Sequence, residues 1–294
     1  MKFTISSVLS AAASAILLTL SAVPATALPT SNAPSASLEK RAVDGLNNFG
    51  CKLTAEHPRP VIMVHGTVLN IDSWSTFAPV LIKQGYCVFA LTYGKYKNTP
   101  IMGGLAPIED SAQELSDFAN NILERMNVTQ VDIVGHSQGG ILARYWIKYL
   151  DGAGKVYRHV GISAINHGTT LSGITVFAKA LGIFTPSQPL FDAIAPSLFQ
   201  MVDTSEFMAK LNAGGDTAPG VIHSNIVTKY DEIVTPYENC YQNGPNVVNA
   251  LLQKNCMLSL NEHLTMVNSK VVLQFVLNQL DPSTAKTANC LSML

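Results

Sequence analysis

Residues 131–140 read VDIVGHSQGG. Val131, Ile133 and Val134 form a strand-like run that stops at Gly135, with Ser137 two places on and Gly139 two places after that. A chain that passes from a strand into a helix at Gly-x-Ser-x-Gly must fold back sharply at the serine. Side chains at the two flanking positions would collide there, so glycine is required. The serine is left on a strained turn with its hydroxyl clear of the sheet. Gly140 adds a third small residue for close packing of the helix behind it. This segment therefore predicts a strand, a tight turn and a helix, with further strands alongside.

The rest of the chain fits that demand. Residues 61–64 (VIMV) form a continuous apolar run between Pro60 and His65-Gly66, the pattern of a strand buried on both faces. A helix is expected over residues 74–84, stopped by Gly85, and a second buried strand over 87–91. Leu115, Phe118, Ile122 and Met126 recur at helical spacing within residues 110–126. Residues 131–134 form the third strand and 137–150 the helix after it, with strands at 159–165 and 221–228 and a closing helix over 267–280. Strands alternating with helices predict an α/β architecture with a mostly parallel sheet.

Residues 170–219 break the rhythm. They are rich in Leu, Ile, Phe, Ala and Met and are punctuated by Pro186, Pro189, Pro196 and Gly214-Gly215. A connection of that length inside a sheet is uncommon without a role. It is expected to form a small apolar helical cap over the carboxyl edge of the sheet.

The amino-terminal stretch reads as processing signal. Lys2, an apolar run over residues 8–20 and Ala25-Thr26-Ala27 predict a signal peptide at residues 1–27. Residues 28–41 read as a propeptide ending in the dibasic pair Lys40-Arg41. That leaves residues 42–294 as one domain, secreted to the extracellular space, with 16 bases against 19 acids. No basic run or basic excess is present to attract nucleic acid, and no later stretch is long and apolar enough for a membrane span. A monomer is expected.

Five cysteines in a secreted chain predict disulfides with one cysteine left over. The expected pairs are Cys51–Cys87 and Cys240–Cys256, each flanking elements expected to be neighbours, with Cys290 unassigned. No spacing of Cys or His suggests a metal. Asn127-Val128-Thr129 is the one glycosylation sequon.

A serine hydroxyl is inert at neutral pH without a base in reach, and the base needs a carboxylate to orient it. In folds with this strand-turn-helix the chain order is Ser, acid, His. Asp231 follows the strand at residues 221–228, and His263 is the one histidine beyond it. Glu232 is the rival acid, with Asp203 and Asp216 further candidates in the cap region. Asp231 is preferred because it follows a rigid strand directly. The candidate catalytic set is Ser137, Asp231 and His263. An oxyanion forming on attack needs preorganised N–H donors. Gln138, next after the serine, and Thr67, in the loop after the first strand, are the expected donors. His65 and His136 are expected to shape the site rather than act as bases.

At residues 60–67 (PVIMVHGT), 85–91 (GYCVFAL), 135–140 (GHSQGG), 166–170 (NHGTT), 211–216 (LNAGGD), 230–237 (YDEIVTPY) and 262–264 (EHL), the chain resembles the secreted α/β-hydrolase lipases of the class 2 group. The resemblance runs from about residue 50 to 282. It implies the α/β-hydrolase fold and hydrolysis of triacylglycerols or simpler carboxylic esters, without cofactor or metal, on Ser137, Asp231 and His263. The expected partner is a lipid ester, met at a lipid–water interface. The alternative activity is that of a soluble carboxylesterase or polyester hydrolase. A non-catalytic lipid-binding relative is the reading from another class.

Overall fold

The computed structural model describes residues 43–96, 101–180 and 195–291. Six strands form one parallel sheet in the order β2-β1-β3-β4-β5-β6. They are β1 (Val61–Val64), β2 (Val88–Leu91), β3 (Val131–His136), β4 (Val156–Ile162), β5 (Ile222–Val227) and β6 (Val247–Leu251). The expected fold class, an α/β sheet flanked by helices, is the one observed.

Alternation along the strands sorts the core into two layers. Ile62, Val64, Phe89 and Ile133 pack on one face with α2 (Ile108–Met126) and α3 (Gln138–Tyr149). Val61, Met63, Val88 and Val134 pack on the other face, against α1 (Ala78–Lys83) and the closing helix α8 (Lys270–Leu280). A central strand covered on both faces has no reason to alternate polar and apolar residues, which is why β1 reads as VIMV. The α2 helix opens with Glu109 and Asp110 in its first turn, where acid complements the helix dipole. It ends on Asn127 in the left-handed region, so the sequon asparagine is an exposed helix cap.

In register, Val64 of β1 lies opposite Gly135 of β3, and Gly135 lies opposite Gly161 of β4. The carboxyl ends of these central strands therefore finish side by side, and the loops that follow them converge. The insertion expected to cap them contributes three helices among the described residues, α4 (Leu171–Ala180), α5 (Pro196–Gln200) and α6 (Glu206–Asn212). Residues 181–194 of that insertion lie outside the described residues, as do the expected signal peptide and propeptide.

Several features depart from expectation; the strand expected over residues 159–165 is Val156–Ile162, three positions earlier. The helix expected over residues 74–84 is a 3-10 turn, Ile71–Trp74, followed by the shorter α1. The strand β6 was not anticipated. It is an edge strand with Val248 and Asn249 exposed, so its residues carry no continuous apolar signal.

The cysteine pairing departs from expectation as well. Cys51–Cys87 forms as expected, but the second disulfide is Cys256–Cys290 and not Cys240–Cys256. Cys240 is a free, buried thiol. It ends the 3-10 turn Tyr237–Cys240 and packs in the layer with α2 and α3. Cys256 follows α7 (Leu252–Asn255) in the opposite layer, with α8. A disulfide requires Cα atoms within roughly 7 Å, which two cysteines in opposite core layers of one sheet do not meet. The tail after α8 returns to Cys256 and places Cys290 at a Cα–Cα distance of 5.2 Å.

Candidate active site

Ser137 sits between β3 and α3 with φ 54° and ψ −122°. A side chain at positive φ is strained, and the turn is over-determined to hold it. The Ser137 N–H donates to Ile162 O at 2.9 Å, and the Gly140 N–H donates to Ser137 O at 3.1 Å. A Cβ at Gly135 would come 2.6 Å from the Gly139 carbonyl oxygen, and one at Gly139 would overlap the Val64 and His65 carbonyls. A Cβ at Gly66 would lie 3.1 Å from the Ser137 Cβ, so the loop after β1 runs directly against the serine.

Asp231 lies in the turn after β5. Its Oδ1 accepts from the N–H groups of Ile233 at 3.1 Å and Val234 at 2.7 Å. Both carboxylate oxygens are 2.9 Å from Nδ1 of His263. The pair is buried, with 7% of Asp231 and 1% of His263 exposed. Burial alone would lower the His263 pKa, but the charge and hydrogen bond of Asp231 outweigh it and hold the imidazole above its ordinary value. Burial likewise works to raise Asp231, and is outweighed by His263 and the Val234 N–H, which hold the carboxyl below its ordinary value. An imidazole donating Nδ1–H to a carboxylate keeps Nε2 as its basic nitrogen.

His263 is tied to the serine turn through His136, the residue before Ser137. The His136 Nε2–H donates to the His263 carbonyl at 3.1 Å, and the two rings are 5.0 Å apart. Burial drives the His136 imidazole down to about 3, so it stays neutral across the working range. His65 is likewise pushed by burial down to about 4. It stacks on Tyr93 at 4.3 Å and donates Nδ1–H to the Gly66 carbonyl.

The rival acids lie elsewhere. Glu232 accepts from the backbone N–H of His263 at 3.3 Å, while the ring nitrogen is taken by Asp231. Asp203 is exposed in the cap. Asp216 is committed to His167 at 3.1 Å and to the fully buried Arg144 at 3.5 Å.

Thr67 and Gln138 are both buried beside the serine turn. Gln138 is the first residue of α3, where backbone N–H groups lack intrahelical acceptors and point out of the helix. Its side chain is fixed. The Tyr93 hydroxyl lies 2.9 Å from Gln138 Oε1, and Gln138 Nε2 donates to the Gly104 carbonyl at 3.1 Å. Met201 of the cap brings its sulfur within 3.8 Å of Thr67 Oγ1 and 3.9 Å of Gln138 Nε2. Tyr93, Gly104 and Met201 were not singled out in the sequence. The available signal was Gly103-Gly104, where a Cβ at Gly104 would lie 2.9 Å from the Thr67 Cα. Among the described residues no group of His, Cys, Asp or Glu could hold a metal ion. No helix among them is long and apolar enough to cross a membrane.

A parallel sheet with a serine at the strand-to-helix turn and an Asp-paired histidine beyond it defines the α/β-hydrolase class. A model of the family described as Lipase (class 2) matches residues 58–276, and the chain belongs to that family. Lipase B of Aspergillus fumigatus superposes with a TM-score of 0.62 at 20% identity, covering 81% of this chain and 56% of that one. The mature form of the Bacillus licheniformis lipase BlEst2 superposes at 0.58 and 13% identity, covering 78% and 94%. In sequence the chain is 32% identical over 169 residues to the non-heme chloroperoxidase CPO-A1 of Kitasatospora aureofaciens, over 57% of this chain and 54% of that protein. The chain thus spans a little over half the length of the chloroperoxidase and of the Aspergillus lipase chain.

Proposed function

We propose that the protein is a secreted serine hydrolase of carboxylic esters, of the triacylglycerol lipase type, with Ser137 as nucleophile, His263 as general base and Asp231 as its orienting acid. The observation that carries this reading is the bidentate approach of Asp231 to His263 Nδ1 at 2.9 Å, beside a serine held at φ 54°. His263 Nε2 takes the proton of Ser137 as Oγ bonds to the ester carbonyl. The N–H groups of Thr67 and Gln138 receive the oxyanion. As the tetrahedral intermediate collapses, the C–O bond to the alcohol breaks and His263 gives its proton to the leaving oxygen. Water then attacks the acyl carbonyl as His263 takes its proton; the C–O bond to Ser137 Oγ breaks, His263 returns the proton to Oγ, and the acid leaves. Every step is served by these side chains together with the two N–H groups.

An apolar substrate is supported by the surroundings. Leu264, next after the base, stands exposed. The two disulfides and the Asn127 sequon at an exposed helix cap accord with an extracellular, glycosylated protein.

The test is fatty-acid release from a long-chain triacylglycerol emulsion beside hydrolysis of a soluble short-chain ester, with Ser137→Ala as control. Serine-dependent release from the emulsion establishes a lipase. Turnover of the soluble ester alone establishes a carboxylesterase. Undiminished activity in Ser137→Ala removes the proposed mechanism.

A further inference from the structure

Asp231 holds the ring of His263, but two other carboxylates hold its backbone. Glu232 Oε2 accepts from the His263 N–H at 3.3 Å. Glu262 Oε2 accepts from the Leu264 N–H at 3.0 Å. The turn between them is closed on itself: the Glu262 N–H donates to Thr265 Oγ1 at 3.1 Å, and that hydroxyl donates to the Glu262 carbonyl at 3.1 Å. The two carboxylates therefore hold successive backbone N–H groups, those of His263 and Leu264. Partial burial, and then the neighbouring Glu262, push Glu232 above the usual carboxylate range.

We propose that Glu232 and Glu262 form a carboxylate pair that positions His263 and sets the pH at which it becomes a working base. The proposal rests on the reading of His263 as the general base, and both glutamates are positioning residues. Four titratable groups face His263. Asp231 comes from the turn after β5, Glu232 follows it, Glu262 belongs to the histidine's own loop, and His136 comes from the end of β3. Asp231 stays anionic and His136 stays neutral across the range in which an esterase works. The two glutamates add negative charge beside the Asp231–His263 couple, and negative charge there strengthens the hold of His263 on its proton. A couple flanked by this pair should titrate higher than an Asp–His couple alone.

Glutamine replacement separates charge from structure. In Glu232→Gln the side-chain oxygen still accepts from the His263 N–H. One ionisable charge is gone. The titration of the His263 imidazole is followed by NMR in the full chain, in parallel with the pH profile of kcat/KM on a soluble ester. In Glu232→Gln and Glu262→Gln the imidazole titration and the acidic limb of the profile are both expected to move to lower pH by about half a unit or more, with KM little changed. Glu232→Ala, which also removes the acceptor, is expected to add a loss of kcat at every pH. An unmoved imidazole titration in both glutamine variants overturns the proposal, whatever happens to the rate. A titration that moves while turnover is indifferent to Ser137→Ala keeps the pair's effect on His263 and overturns the functional reading instead.

Discussion

Nδ1 of His263 lies 2.9 Å from both carboxylate oxygens of Asp231, 32 positions earlier in the chain. The segment between them contains a 3-10 turn, the edge strand β6 and the short helix α7, so the pair is set by tertiary packing. Asp231→Asn should keep the shape and reverse the hydrogen bond, stabilising the tautomer with the proton on Nε2. Turnover of a soluble ester is expected to fall by about 10⁴-fold with KM little changed, by comparison with the same change in serine proteases. A fall below about tenfold would remove Asp231 from the proposed mechanism.

Gly139 is packed against the backbone carbonyls of Val64 and His65, which cannot move without displacing β1. Gly139→Ala is therefore expected to cost about 1–3 kcal/mol or more as overpacking, with loss of activity from displacement of the serine turn. Denaturant unfolding gives the first quantity and ester turnover the second. Gly154→Ala, where an added Cβ meets nothing within 4 Å, is the control and should leave activity unchanged.

Arg144 is fully buried and donates to Asn166 O at 2.8 Å and Asn212 Oδ1 at 3.0 Å, with Asp216 at 3.5 Å. It joins α3 to the end of α6 and to the loop after β4. Arg144→Ala strips a buried carboxylate of a cation and leaves two acceptors unsatisfied. The expected loss is about 3–5 kcal/mol in urea unfolding. A loss under about 1 kcal/mol would show that water replaces the guanidinium.

Unfolding in guanidinium without reductant should expose one reactive thiol, that of Cys240, and the folded protein should show none. Cys290→Ser opens the Cys256–Cys290 loop and is expected to cost about 3–4 kcal/mol. It should also add a second thiol to the count. A single thiol that maps to Cys290 in peptide analysis would contradict the pairing.

Stability should decline as pH falls below about 6.5. The unfolded chain takes up protons on histidine near that pH, whereas burial holds folded His223 down to about 4 and His159 well below its ordinary value. Proton uptake then favours the unfolded state, by at most about 1.4 kcal/mol per pH unit for each histidine. Asp132, raised by burial to about 6, takes up its proton first in the folded state and offsets part of this between pH 6 and 4. His159 and His223 contact each other at 3.2 Å. A His159→Gln, His223→Gln double variant should show a shallower decline in melting temperature from pH 7 to 5, and an unchanged slope would assign the acid sensitivity elsewhere.

Much of this molecule was legible from local pattern. β1, β2 and β3 are short apolar runs bounded by glycine or proline, and a strand buried on both faces has no other way to look. The Gly-x-Ser-x-Gly turn was legible because its geometry excludes Cβ atoms at two fixed positions, which Gly135 and Gly139 record. Chain order alone singled out His263, since no other histidine follows Asp231. β6 was not legible, because an edge strand half open to water carries a mixed composition.

What the sequence determined by itself is whatever depends on neighbouring residues: the strands, the amphipathic α2 helix, the serine turn and the order of the candidate groups. Tertiary structure alone decided which distant groups meet. It placed Cys240 and Cys256 in opposite core layers and sent Cys290 back to Cys256. It laid Met201 of the cap against Thr67 and Gln138, and set Glu232 and Glu262 on the backbone around His263. Spacing along a chain fixes directions only over a turn or a strand. Which side of a sheet a later segment returns to depends on the burial of all the elements together, and no short stretch of sequence contains that sum.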